Sequence, residues 1–225
     1  MRGLGVAVTL LVLACSHRVE APVPAAADQV EVMRWGVIGS TGEFFVRQRL
    51  QFQVGGGSGS FDAALQVTCG TLTVVGLTPL GTPLFSIRQQ GSRIEVDADS
   101  TMRWPFPPER LLLDVHRAFL YPMPVPAPAD GIHVYDFQGV SVREAWQAGR
   151  LQERTISAPS RGRPGLIHVL YEGGWIPGDL PERTWLKNGT DGYSLSIQSS
   201  DLRPLPCHGE GAVGTSPDNG KRGVP

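Results

Sequence analysis

Between Ser60 and Asp97 the chain divides into four short apolar-rich segments, each closed by glycine, proline or a polar turn. In the first, Phe61, Ala63, Leu65, Val67 and Cys69 share one parity, while Asp62, Gln66 and Thr68 hold most of the other. A strand turns successive side chains to opposite faces, so this alternation sets one row in a dry interior and the other toward water. Cys69 is thereby expected on the dry face. Segments this closely spaced reach only their neighbours, which predicts an antiparallel meander.

The same pattern precedes the meander. Phe44, Val46, Leu50, Phe52 and Val54 fall on one parity and Phe45, Arg47, Arg49, Gln51 and Gln53 on the other, with Gln48 as the exception. The Gly55–Gly59 run that follows lacks the Lys-Ser/Thr pair and the helix that a phosphate loop needs, and it reads as a hairpin connection. The Gly76–Gly81 turn carries Leu77 and Leu80 at a loop tip. These two either fold back onto the core or touch a membrane or an acyl ligand.

After Asp97 the period changes. Leu111, Leu112, Val115 and Phe119 recur at helical spacing, with Glu109, Arg110, Asp114 and Arg117 on the opposite side. Pro108 suits a first helical position and Glu109 the positive end of the dipole. This predicts one helix from Glu109 to Leu120, covering a sheet or closing its mouth as a lid. The Pro-rich run Tyr121–Pro128 leaves the helix in extended backbone. Further strands are expected near Gly131–Asp136, Val140–Gln147, Leu151–Ser157, Leu166–Tyr171 and Tyr193–Ser199. Ala148-Gly149 is a hairpin turn. The strand at Leu166–Tyr171, apolar on both parities apart from His168, reads as covered on both sides. The stretch Trp175–Thr190 reads as irregular.

Charge and motif content narrow the function classes. Among 225 residues, Lys plus Arg number 20 and Asp plus Glu 21, for a net charge of -1. Such a chain has no basic excess with which to hold a nucleic acid. No catalytic motif is present: the triplets around Ser40, Ser58 and Ser60 lack the flanking glycines of a nucleophile elbow. His17, His116, His133, His168 and His208 stand at no metal-binding spacing and read as surface or satisfied core residues. Glu95, Asp97 and Asp99 read either as a carboxylate cluster or, equally well, as the polar edge of a strand. No cofactor or metal is expected.

The N-terminus carries an address. Arg2 precedes an apolar run from Leu4 to Ala14, too short to span a bilayer, which needs about 20 residues, and built like an export signal. The sequence Val12-Leu13-Ala14-Cys15 resembles a bacterial lipobox, which implies cleavage before Cys15 and lipidation of its thiol. Several acyl chains there would anchor the protein stably. Four regions follow: a signal peptide at 1–14, a lipidated N-terminus and tether at 15–31, one β domain at 32–203, and a disordered tail at 204–225. With Cys15 spent on lipid, Cys69 and Cys207 remain. In an oxidising compartment they could pair, stabilising by about 4–5 kcal/mol if unstrained; the alternative is a buried, apolar Cys69.

With these residues assembled, the chain resembles a family of small bacterial lipoproteins with a domain of unknown function, classed with the LolB-type outer-membrane lipoprotein receptors. The likeness rests on Leu72-Thr73-Val74-Val75-Gly76-Leu77, Pro79-Leu80-Gly81, Leu84-Phe85-Ser86-Ile87 and the Pro108–Asp114 run. It implies a mainly β fold, a strongly curved antiparallel sheet forming an incomplete LolA/LolB-like barrel, with one or more helices on its concave side. It also implies gene sets that build aryl-polyene or fatty-acid-like lipids, and an outer-membrane location on the periplasmic side. In LolA and LolB the hollow holds acyl chains of lipoproteins in transit. Carried over, it makes Phe44, Leu50, Phe52, Phe61, Leu65, Val67, Leu72, Val74, Phe85 and Leu112 the candidate ligand contacts, and Leu77 and Leu80 the membrane or ligand tip. The partners expected are membrane lipid through the anchor and acyl-chain or lipoprotein cargo. A docking lipoprotein that holds a partner complex at the membrane is the alternative, and an enzyme with a dispersed site a third.

Overall fold

The alternation that begins at Phe44 becomes strand after strand of one sheet. The computed structural model describes residues 42–98, 108–124, 126–137, 139–157, 165–176 and 178–206. In chain order these form β1 (Phe44–Val54), β2 (Gly57–Thr68), β3 (Thr71–Leu77), β4 (Pro83–Gln90), β5 (Arg93–Ala98), the helix α1 (Pro108–Val115), which widens into a π-helical turn at His116–Leu120, then β6 (Gly131–Phe137), β7 (Val140–Gln147), β8 (Arg150–Ser157), β9 (Leu166–Trp175), β10 (Arg183–Asn188) and β11 (Tyr193–Pro204). The signal peptide, Cys15, the tether, Asp99 and the tail from Cys207 onward lie outside the described residues.

All eleven strands belong to a single antiparallel sheet in the order β5-β4-β3-β2-β1-β11-β10-β9-β8-β7-β6. Two meanders are thus joined where β1 pairs with β11, in a long register from Phe44↔Pro204 to Val54↔Tyr193. The strands β5 and β6 are its two ends, and the chain passes from one to the other through the helix. The dry row of β1 and β2 is the expected one: Phe44, Val46, Leu50, Phe61, Ala63, Leu65 and Val67 are all buried. Gln48, the exception in the pattern, is buried too and reaches the Ser199 hydroxyl at 3.4 Å. On the other face Arg49 faces Asp62 across the strands at 3.0 Å.

The sheet is curved around the helix. Every residue from Arg110 to Tyr121 is buried. The same short stretch packs on β4 and β5 and hydrogen-bonds to β8, β9 and β11. Strands from both meanders can touch one helix on all sides only if the sheet wraps it. The fold class, mainly β with an open curved antiparallel sheet and a helix on its concave side, is the expected one.

Four expectations need correction. The stretch Trp175–Thr190 contains strand β10, whose Thr184, Leu186 and Asn188 are buried in alternation; its short length and polar content hid it. Strand β9 is not covered on both sides, since Leu166 is 59% and Leu170 41% exposed. The polar side of the helix is enclosed as well: Asp114 and Arg117 are as buried as Leu112. Cys69 is not on the dry face, because the strand ends at Thr68 and Cys69 sits exposed in the turn to β3 at φ 46°.

Candidate functional site

The concave face brings the candidate ligand contacts together. Phe44, Leu50, Phe61, Leu65, Val67, Leu72, Val74, Phe85 and Leu112 are all buried in one apolar cluster, and Phe52 packs against it half-buried. At one end three rings form a row, Phe52 to Phe61 at 6.3 Å and Phe61 to Phe85 at 5.8 Å between centroids. Each outer ring lies over a glycine of the next strand, Phe52 over Gly59 and Phe85 over Gly76. A missing side chain there lets an aromatic ring cover backbone where the sheet bends.

The helix occupies this face and is held by polar contacts. On the β7–β8 side Glu144 is a hub: its carboxylate accepts from Arg154 Nε at 2.8 Å, Tyr135 Oη at 2.9 Å and Trp146 Nε1 at 3.0 Å. The buried Arg154 guanidinium then donates to the carbonyl of Arg117 at 3.1 Å and lies against the rings of Tyr121 and Trp175. Tyr171 donates to the next carbonyl, Ala118, at 2.9 Å. The last carbonyls of a helix have no partner within it, so these two donors satisfy a helix end inside the protein.

On the β10–β11 side Asp114 accepts from Tyr193 Oη, from Asn188 Nδ2 at 3.4 Å and from Arg117 at 3.3 Å. Burial pushes the Asp114 carboxyl above its ordinary range, against the pull of Arg117, Tyr193 and Asn188. On the β4 side His116 Nε2 meets Gln89 Oε1 at 2.5 Å. Gln89 Nε2 already donates to Gly91 O at 3.1 Å, so the glutamine oxygen accepts and His116 carries its hydrogen on Nε2. Burial, then the Arg117 charge, lowers the His116 pKa to about 3, so the ring is neutral.

Sequence reasoning missed Glu144, Arg154, Asn188 and Tyr193. A signal for the first two was present. Glu144 stands between Val142 and Trp146 on the dry parity of β7, and a charge on a dry parity asks for a buried partner.

The two tip residues separate. Leu77 ends β3 half-buried, whereas Leu80 is 94% exposed. The turn beneath Leu80 is fixed by three hydrogen bonds: Thr78 N to Thr82 O at 2.8 Å, Gly81 N to Thr78 O at 2.8 Å, and Thr82 N to the Thr78 hydroxyl at 3.0 Å. Near the β1–β2 and β10–β11 turns lies an open depression of about 520 Å³, lined by Gly55, Gly56, Lys187, Asn188 and Tyr193 among others. Among the described residues no three His, Cys, Asp or Glu side chains gather as a metal site, and no helix is long and apolar enough to cross a membrane.

The chain belongs to the family described as protein of unknown function DUF3261, whose model matches residues 46–201. A comparison with curated proteins finds no match. Among solved structures the chain is similar to a LolA superfamily protein from Nitrosomonas europaea, at 11% identity and a TM-score of 0.46, covering 81% of this chain and 96% of that one. It is also similar to a DUF1329 family protein from Desulfovibrio piger, at 12% identity and a TM-score of 0.36, covering 80% of this chain and 93% of that one. A third is a putative outer membrane lipoprotein-sorting protein domain from Vibrio parahaemolyticus, at 9% identity and a TM-score of 0.35, covering 79% and 91%.

Proposed function

We propose that this DUF3261 member is a lipid-anchored periplasmic carrier or acceptor. It takes acyl chains of lipids or lipidated proteins against its concave face and performs no covalent chemistry on them. Cys15 carries the anchor at the outer membrane, and the Leu80 tip meets the bilayer or the incoming chain. The observation that carries this reading is Leu80, a large apolar side chain 94% exposed on a turn that its own hydrogen bonds hold rigid. Burying one leucine is worth about 1.5–3 kcal/mol, enough to dock a tip already held near a membrane by its anchor. The helix fills the concave face in this state, so an acyl chain enters by displacing it. That exchange gives up the contacts of Arg154, Tyr171 and Tyr193 to the helix, while Glu144 and Arg154 remain paired with each other within the sheet.

The test uses full-length protein purified from membranes and reconstituted into vesicles. Transfer of a fluorescent fatty acid or lipopeptide from donor vesicles is followed with time. Leu80→Glu is expected to slow transfer at least tenfold while leaving the circular dichroism unchanged. Wild-type protein that neither binds the probe nor carries co-purified lipid in native mass spectrometry sinks the reading.

A second reading, a docking lipoprotein, is favoured by the outer face of the C-terminal meander. Trp185 is 53% exposed opposite Leu170 on the neighbouring strand, and the end strand β6 shows Ile132 and Val134 at 60% and 66%. Crosslinking in membranes that captures a stoichiometric protein through this face, with no bound lipid, decides for it.

A further inference from the structure

On the face away from the helix, the central strands β10, β11 and β1 carry outward side chains in matched ranks. Arg183, Gln198 and Arg49 form one rank, and Trp185, Ser196 and Gln51 the next. Lys187, Ser194 and Gln53 form the third. Two of the three side chains on the middle strand are serines, so the surface is low along β11 and walled on both sides. Strands lie about 4.8 Å apart and residues on one face recur about every 6.8 Å. The trough is therefore about 10 Å between its walls and about 14 Å along the three ranks. A hollow of about 210 Å³ lies at Trp185 and Ser196, and the depression of about 520 Å³ lies at Lys187 and Ser194.

Ion pairs draw two wall residues outward. Arg49 meets Asp62 of β2 at 3.0 Å and Arg183 meets Glu172 of β9 at 3.3 Å. Both carboxylates stand on the strand away from β11. Lys187 differs. Its cross-strand neighbours are His168 and Ser194, neither of them a carboxylate, and it makes no ion pair among the described residues. None of the nine side chains is acidic. The main chain of these central strands is engaged in its own ladder, so a ligand here is read by side chains. They offer hydroxyls and amides that both donate and accept, one indole 53% exposed, and one ammonium group.

We propose that this trough binds an anionic polysaccharide chain. The sugar hydroxyls pair with Ser194, Ser196 and Gln51, and the C–H face of one sugar ring lies on the indole of Trp185, an apolar body that stands in water. A carboxylate or phosphate on the adjoining sugar meets Lys187, whose ammonium acts as a point charge. Beyond it the turns carry Gly55, Gly56 and Gly192, around which a Cβ would meet nothing within 4 Å. That end is low, so a polymer continues past it. A protein interface has an apolar core, whereas Trp185 is the one apolar side chain of the nine. This site lies on the opposite face from the helix and stands apart from the acyl-chain reading.

Calorimetric titration of the full-length protein tests this, with an oligogalacturonate, a phosphorylated mannooligosaccharide and an uncharged maltooligosaccharide as probes. At least one anionic probe is expected to bind about tenfold tighter than the uncharged one, with an affinity that falls as salt rises. Lys187→Gln is expected to abolish that preference, and Trp185→Ala to weaken every probe about tenfold. Both residues are exposed, so the circular dichroism should not change. Wild-type protein that binds neither anionic probe, or binding that neither substitution moves, overturns the proposal. So does a photocrosslinker at position 185 that captures a stoichiometric protein in membranes in place of saccharide.

Discussion

Tyr193 on β11 donates its hydroxyl to the carboxylate of Asp114 on the helix, and both groups are buried. This contact joins the last strand to the plug of the sheet. Tyr193→Phe removes a donor and leaves the carboxylate to Asn188 and Arg117 alone. A lost hydrogen bond to a buried charged group costs about 1–3 kcal/mol, to be read as a lower midpoint in urea unfolding. If the helix is a displaceable plug, the same variant binds an acyl probe faster.

Asp114 also sets a pH dependence. Its folded pKa is raised above the ordinary 3.8 by burial, so the native state holds the proton after the unfolded chain has released it. Stability from this group is full below about 3.8 and is lost as pH rises through the folded pKa. Asp114→Asn is expected to flatten that decline, measured as unfolding free energy across a pH series.

His116 contributes a slope of the opposite sign. Its pKa falls from 6.5 to about 3 on folding because of burial and then the Arg117 charge. Its contribution is present above about 6.5 and is lost as pH falls toward 3, at up to about 1.4 kcal/mol per pH unit. The two groups oppose one another as pH rises above 3.8, so each is read in the variant lacking the other. His116→Gln is expected to make the acid limb shallower. An unchanged limb would show that the ring is solvated.

The strands were legible wherever a dry parity was apolar. Phe44 to Val54 and Phe61 to Val67 announce their faces because water rejects one row of side chains. Strand β10 was not legible, since six residues with Lys187, Asn188 and Arg183 look like a loop until β9 and β11 supply partners. The helix was legible in position and length but not in environment. Periodicity places Asp114 and Arg117 opposite Leu112, and only the wrapping of eleven strands reveals that both sides are enclosed. Cys69 failed for a local reason: parity continues past Thr68 on paper, while the backbone has already turned.

Gly76 faces Phe85 across β3 and β4 on the buried side. A Cβ at this position would overlap the Phe85 ring. Gly76→Ala must therefore push the ring from its place beside Phe61 or bend the strand. Overpacking of this kind costs roughly 1–3 kcal/mol. The pair Gly76→Ala with Phe85→Leu is expected to recover part of the loss, because the shorter side chain clears the space. A single variant as stable as the wild type in thermal unfolding would show that the ring moves freely.

The Glu144–Arg154 pair lies at the centre of the contacts that hold the helix, at 2.7 Å between Arg154 Nη2 and Glu144 Oε1, with both side chains essentially inaccessible. Removing one member of a buried pair strands the other charge, which costs about 3–5 kcal/mol. Glu144→Gln alone leaves Arg154 without its counter-charge, and Arg154→Met alone leaves Glu144 with only Tyr135 and Trp146. Each is expected to lower the urea midpoint strongly. The double variant loses the desolvation cost along with the attraction, so it should fall short of the sum by more than 1 kcal/mol. Arg154 also donates to the Arg117 carbonyl, so both variants lacking Arg154 should loosen the helix. Hydrogen exchange at residues 108–120 reads that directly: faster exchange there than in β1 and β11 is expected with Arg154→Met, and less so with Glu144→Gln. Uniform change across the sheet would mean that the pair supports the core as a whole rather than the plug.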